Sequence, residues 1–402
     1  MRDTLLPFSL PAIGNDDIAE VVAALRSGWI TTGPRAQAFE QEFAKFVGAD
    51  SALALNSGTA ALHVALATLG VGPGDVVITS DITFCSGVHV IEQTGARSVV
   101  VDVEPDTLNI DPAQVEKAAA MLRAGERLAA IIPVDLHGHP CDRAALIGIA
   151  RKYGCALVED AAHAFPAKYR GHPIGEAEDA GIPVLTAFSF YATKNLTTGE
   201  GGMLTGAAET IDDARVWSLH GISADAWRRQ GRRAWAYEVT RPGFKYNMPD
   251  IQAAMGIAQL PRVASFASRR EEIARRYNEA FAHFEELRVP AHRPDVEHAW
   301  HIYALRVDDT CISRDQFIEE LFARNIAASV HFIPVHLHRY YREKYGWSGS
   351  DFPVAGREWE RLVSLPIYPA MSDADVGDVI EAVSGIVTAN RKAAAGYAAS
   401  RA

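Results

Sequence analysis

Apolar and polar positions alternate along this chain in two different textures. From residue 52 to residue 205, short apolar runs alternate with stretches of helical period. The runs predict strands at 52–55, 76–79, 98–103, 128–134, 156–159, 185–190 and 202–205. Helices are predicted between them at 59–69, 86–93 and 143–153. Two helices come first: 15–26, with Asn15 as its N-cap, and 35–46, with Phe39, Phe43 and Phe46 on one face. The turn-rich GWITTGP, residues 28–34, joins them. After Asn247 the pattern is helical at 251–260 and again, in a long charged stretch, at 264–284. A smaller mixed unit follows, with a strand at 302–307, a helix ending at Arg324 that Ser313 caps, and a last helix at 373–387. Residues 390–402 carry no packing pattern and are expected to fray.

Strands that alternate with helices in this way predict an α/β protein whose mostly parallel sheet is covered on both faces. The change of texture places a domain boundary inside the long helix. Residues 1–265 form the large domain, with an N-terminal segment partly packing elsewhere, and 266–402 a smaller one.

Composition narrows the class. A net charge of −11 with no basic arm or stripe argues against nucleic acid as a partner. Cys85, Cys141, Cys155 and Cys311 are scattered with no CxxC pair, which fits a reducing compartment. The N-terminus has no signal or transit pattern, and no apolar run approaches the roughly 18 residues of a membrane span. The expected location is the cytoplasm.

Candidate chemistry lies in four segments. In VLTAFSFYATKNLTTGEGGMLT, Lys194 stands between two buried strands, where an amine must be partnered, neutral or used covalently. Ser189, five residues earlier, is a candidate phosphate ligand. In NSGTAAL a strand turns into a helix, so that Gly58, Thr59 and the helix N-terminus offer an anion cradle. In DITFCS, Phe84 can lie against an aromatic cofactor. In VEDAAHAF, Asp160 ends an apolar strand, where open α/β sheets bind ligands, and can pair with a protonated pyridine nitrogen. Taken singly, each has a plainer role: helix caps for Ser, Thr and Asp160, core for Phe84, a loop for His163. Together, in order, they are the parts of a pyridoxal-phosphate site.

These segments, with GWITTGPRAQAFEQEFAKFVGA, VDVEPDTLNIDP, HGHPCD, GFKYNMPDIQAAMGIAQL and SLPIYP, resemble the DegT/DnrJ/StrS-type nucleotide-sugar aminotransferases. That family has the aspartate aminotransferase fold (fold type I), with a seven-stranded large-domain sheet. WITTGP and GFKYNMPDIQAA look closest to the UDP-4-amino-4-deoxy-L-arabinose–oxoglutarate aminotransferase branch. The resemblance implies that Lys194 bonds pyridoxal 5′-phosphate covalently and shuttles the proton. Asp160 would hold the pyridine nitrogen, Phe84 stack on the ring, and His163, where many members have glutamine, lie beside the 3-hydroxyl. Gly58, Thr59 and Ser189 would bind the phosphate. Asn247 would reach the neighbouring subunit's phosphate, so the active unit would be a homodimer.

The implied substrates are L-glutamate and a nucleotide-linked 4-keto-sugar. A 3-keto-sugar or aminocyclitol acceptor is the alternative, and a non-catalytic sensor a more distant one. Trp29 and Thr31 either line the sugar pocket or pack the N-terminal loop; His331 either faces the sugar or is structural. His137, His139 and Cys141, like His331, His336 and His338, match no standard zinc spacing, so no metal is expected.

Overall fold

The computed structural model describes residues 2–223, 237–308 and 312–399, with side chains to residue 391. Two helices open the chain, α1 (Asn15–Arg26) and α2 (Pro34–Val47). Then come β1 (Ser51–Leu55), α3 (Gly58–Thr68), β2 (Asp75–Ser80), α4 (Ser86–Gln93), β3 (Arg97–Val101), α5 (Pro112–Ala120) and β4 (Arg127–Ile132). The large unit continues with α6 (Arg143–Tyr153), β5 (Ala156–Asp160), the two-residue strands β6 (Lys168–Tyr169) and β7 (His172–Pro173), β8 (Val184–Ser189), β9 (Gly202–Gly206), α7 (Ala208–Ser218) and α8 (Asp250–Gln259). The remainder is α9 (Val263–Phe281), β10 (Leu287–Arg288), β11 (Val296–Glu297), β12 (Tyr303–Val307), α10 (Arg314–Ala323), α11 (Arg339–Tyr345), α12 (Pro353–Trp359), β13 (Leu362–Leu365) and α13 (Asp373–Ala399).

Seven strands form one sheet in the order β1-β9-β8-β5-β4-β2-β3. The pairs β2/β3, β2/β4, β4/β5 and β5/β8 are parallel, and β9 runs antiparallel to both its neighbours. The predicted α/β sheet is therefore present. α3 is apolar nearly all round because it is buried against the sheet, whereas α1 and α2 are amphipathic and pack on α8. A three-stranded antiparallel sheet, β10-β12-β13, lies under α9, α10 and α13.

The long helix joins two apolar cores. Val263 packs with Phe39, Phe43 and Phe190, while Ile273, Tyr277 and Phe281 pack with Tyr303, Phe317 and Val383. Leu6 belongs to this second core, fixed by Leu6 N–H to Asn325 O (2.8 Å) and Ala327 N–H to Leu6 O (3.0 Å).

Several expectations need correction. The first helix is capped by Gly14, not Asn15, and Asp17 accepts the Gly14 N–H (2.6 Å). Phe46 is 40% exposed while Phe39 and Phe43 are fully buried, because the buried stripe of α2 runs on through Ala36, Glu40 and Val47. The last helix extends to Ala399 instead of ending at 387, and α5 and α7 are further helices that the sequence pattern did not predict. Ser313 caps α10 as expected, accepting the Gln316 N–H at 3.3 Å. Cys85, Cys141 and Cys155 are free thiols, and Cys311 lies outside the described residues. Residues 400–402 of the expected fray also lie outside them. Among the described residues no helix is long and apolar enough to cross a membrane.

Candidate active site

A cavity of about 490 Å³ opens at the C-terminal ends of β4, β5 and β8, the edge where parallel sheets gather ligands. Gly58, Thr59, Phe84, Asp160, His163, Ser189, Lys194 and His331 all line it. At its floor the start of α3 meets the end of β8. A Cβ on Gly58 would come within 2.9 Å of the Ser189 Cβ, so only glycine lets these two backbones approach. Ser57 Oγ accepts the Ala60 N–H at 3.0 Å and caps the helix. The N–H groups of a first turn have no intrahelical acceptor and suit an anion at Gly58 and Thr59.

Lys194 sits in the turn after β8, its N–H bonded to Tyr191 O at 2.9 Å. Burial pushes its amine down to about 8, and the charge of Asp160 opposes that shift. Asp160 is buried at the last position of β5, and desolvation pushes its carboxyl up against the pull of the Ala162 N–H and Lys194. Its Oδ1 accepts the Ala162 N–H at 3.1 Å, a local turn and not a helix cap. The remaining acceptor capacity belongs to a cavity-lining carboxylate.

His163 Nδ1 accepts the main-chain N–H of His137 at 3.2 Å. The neutral ring therefore carries its proton on Nε2, and burial holds it neutral. His137 takes φ 61°, and its Nε2 donates to His331 O at 2.8 Å. Phe84 is 56% exposed, with its ring 5.7 Å from that of Phe332. His331 stacks on Phe8 (5.2 Å, 22°), and its Nδ1 meets Ser364 Oγ at 2.8 Å. Desolvation lowers the His331 ring to about 3.

Three predicted residues lie elsewhere. Asn247 Nδ2 donates to Thr32 Oγ1 (2.5 Å), Thr31 O accepts the Asp250 N–H (3.1 Å), and Trp29 Nε1 donates to Thr32 O (3.0 Å). Asn247, Trp29 and Thr31 are thus grouped around the loop before α2, and none of them lines this cavity.

Sequence reasoning missed His301, Phe332, Phe8 and Glu200, which do line it. His301 Nδ1 meets Asn195 Oδ1 at 3.2 Å, and its ring lies 4.5 Å from that of His163. Arg270 of α9 donates to the carbonyls of Trp300 (3.1 Å), His301 (3.3 Å) and Ile367 (2.7 Å), fixing this wall from behind. His301, two residues before β12 in an irregular stretch, left no periodic signal in the sequence. The histidines set aside as metal ligands bond within the protein: His139 Nδ1 meets Pro140 O (2.8 Å), Cys141 Sγ donates to Val134 O (3.2 Å), and His336 pairs with Asp81.

The model of the DegT/DnrJ/EryC1/StrS aminotransferase family matches residues 11–384. This chain belongs to that family. Spore coat polysaccharide biosynthesis protein SpsC of Bacillus subtilis (strain 168) is 49% identical over 391 residues, 96% of this chain and 98% of SpsC. An uncharacterised protein of Methanocaldococcus jannaschii is 47% identical over 395 residues, 97% of this chain and 100% of the relative. Among solved structures, a Streptococcus pneumoniae protein assigned as a sugar aminotransferase, in its PMP form, superposes with TM-score 0.87 at 35% identity. The match covers 95% of this chain and 99% of that one, and the same protein is also solved in a PLP form. Streptomyces venezuelae DesV, in complex with a ketimine intermediate, has TM-score 0.83 at 33% identity, covering 92% and 94%. The fold is that of the PLP-dependent sugar aminotransferases, and pyridoxal 5′-phosphate is the cofactor. The cradle at Gly58, the cavity-lining amine of Lys194 and the Asp160 carboxylate fit that group.

Proposed function

We propose that this aminotransferase moves an amino group from L-glutamate to the 4-keto group of a nucleotide-linked sugar, making an amino sugar for a cell-surface glycan or lipid. The observation that carries the reading is that Lys194 and Asp160, whose charges act on each other through space, line one cavity beyond the ends of adjacent strands. The similarity to a polysaccharide biosynthesis protein supports the product class.

When bound, pyridoxal phosphate supplies a carbonyl that takes up an amino group and a ring that draws electrons from it. Lys194 Nζ would hold the cofactor, and as a free amine it would take a proton from the amino-bearing carbon of the donor and return one as ammonium. A pKa of about 8 suits both roles at neutral pH. Asp160 would keep the pyridine nitrogen of that group protonated. The start of α3, with Thr59 and Ser189, would hold its phosphate. His163, with its proton on Nε2, would donate to it, and Phe84 would stack against it.

The site is shared between two subunits in this reading. Among the described residues Lys194 is the only Lys or Arg lining the cavity, so a nucleotide diphosphate must find its cations elsewhere. Asn247, Trp29 and Thr31, absent from the cavity of their own chain, would serve the partner's. The homodimer would work in the cytoplasm.

The first test is the absorbance of purified protein loaded with cofactor, before and after L-glutamate, followed by a panel of keto-sugar nucleotides. The visible band should bleach with glutamate and return only with a 4-keto-sugar. No bleaching with glutamate removes the donor, and return with 3-keto-sugars alone moves the acceptor position.

A further inference from the structure

We propose that Asp81 and His336 are positioning residues that hold one wall of the substrate cavity, an inference that rests on the aminotransferase reading above. Asp81 follows β2 directly and precedes Thr83 and Phe84, which line the cavity. Its three oxygens are all committed to one segment on the far side. The main-chain oxygen accepts the Val335 N–H at 2.8 Å, Oδ1 accepts the His336 N–H at 2.9 Å, and Oδ2 meets His336 Nδ1 at 2.5 Å. The two side chains are 0% and 2% exposed. The His336 ring lies flat on Phe352 (4.9 Å, 16°), and Val335 packs in the same apolar cluster as Ile82. Asp102, on the neighbouring strand side, is occupied by the N–H groups of Val354 and Ala355, both at 2.9 Å.

The segment that Asp81 holds arrives from the smaller sheet. Ser329 and Ser364 exchange two main-chain hydrogen bonds, 3.1 and 2.7 Å, and His331 is tied to Ser364 Oγ and to His137. Between those ties and the Asp81 anchor stands Phe332, whose ring meets Phe84 (5.7 Å) and His163 (5.6 Å) across the cavity. Releasing the Asp81 end leaves Phe332 with ring contacts alone on that side. A wall displaced by about 1 Å lowers the effective concentration of a bound substrate at the reacting centre. Neither Lys194 nor Asp160 bonds to this segment, so the covalent and ionic hold on the cofactor does not pass through it, while Phe84 and His163 touch it through Phe332. Removing one member of a desolvated pair strands the other, while Asp81→Asn keeps the acceptor for the His336 N–H.

The test uses full-length, cofactor-loaded protein as wild type, Asp81→Ala, His336→Ala and Asp81→Asn. Amide hydrogen exchange over 329–338 should rise at least about tenfold in both alanine variants and less in Asp81→Asn. Exchange in β5 should stay within about twofold of wild type. With L-glutamate as the probe, the apparent KM of the first half-reaction should rise about tenfold while its maximal rate stays within about threefold. Unchanged exchange over 329–338, or a fall in maximal rate at constant KM, overturns the proposal. If wild-type protein holds cofactor yet ignores glutamate, the donor assignment fails and exchange alone decides the anchoring. Should the alanine variants not fold, Asp81→Asn must still exchange faster than wild type over 329–338, or the proposal is lost.

Discussion

Asp160 and Asp81 are buried carboxylates at the ends of β5 and β2 of the same sheet, and the chain treats them in opposite ways. Asp81 spends every oxygen on Val335 and His336 and does not line the cavity of Lys194. Asp160 accepts one main-chain N–H, feels the charge of Lys194 through space, and lines the cavity at that edge. Burial pushes both carboxyls up, so desolvation does not tell them apart. What separates them is unspent bonding capacity. A desolvated acceptor left open beside a desolvated amine is held there for something that has yet to bind, whereas a saturated one is a joint.

The strongest way to break this comparison is at the amine. Lys194→Ala should lose at least about a thousandfold in turnover, since covalent holding and proton transfer go together. It should also lose the visible band of bound cofactor while keeping its melting temperature within a few degrees. Appreciable turnover by Lys194→Ala ends the assignment of this site. Next comes the pair of carboxylates itself. Asp160→Asn should cost about a hundredfold in turnover, because a neutral amide cannot keep a pyridine nitrogen protonated. Asp81→Asn should keep the maximal rate within about threefold and act on KM. Equal losses in maximal rate from the two substitutions would erase the distinction drawn here.

The floor of the cavity was legible in the sequence and its wall was not, for a physical reason. Gly58, Thr59, Asp160, Ser189 and Lys194 each end, follow or open a regular element, so the sequence pattern marked them as candidates, with Asp160 at the C-terminal end of a strand. Phe8, His301 and Phe332 come from an N-terminal segment and from irregular stretches of the smaller unit. Their position depends on long-range ties such as Leu6 to Asn325, Arg270 to three carbonyls and Asp81 to His336, which leave no local period. His336 was visible in the sequence as one of three close histidines, but only its partner 255 residues away shows that it is an anchor. Asn247, Trp29 and Thr31 were recognised by resemblance, and the single chain gathers them at a separate place.

A gentler probe is the charge of Lys194. A pKa of about 8 in place of 10.5 means that the folded state sheds this proton more readily than the unfolded chain. Below pH 8 the buried ammonium works against the fold, and that penalty disappears as pH rises towards 10.5. The nucleophile is the uncharged amine, whose share grows from about 10% at pH 7 to about 90% at pH 9 for such a group. Capture of pyridoxal phosphate by cofactor-free protein should therefore speed up about tenfold between those values and then level off. A rate still climbing steeply above pH 9 would mean that the amine is solvated like an ordinary lysine.

The smallest effect belongs to Phe84, which lies between floor and wall. Its ring is 56% exposed and its recorded ring partner is Phe332 at 5.7 Å, so the fold gains little from it. Phe84→Ala should shift folding stability by no more than about 0.5 kcal/mol, the range of an exposed position. An aromatic stack onto a bound ring is worth about 1 kcal/mol beyond the area it covers, which corresponds to roughly a fivefold weaker hold on the cofactor. Phe84→Trp should restore that hold and Phe84→Leu should not, because a leucine covers area without offering a π face. Equilibrium titration of cofactor into the three variants, with a melting curve for each, separates the two contributions. A melting temperature that drops in Phe84→Ala while cofactor affinity stays level would make the ring part of the Phe332 wall, and the stacking role would pass to another side chain.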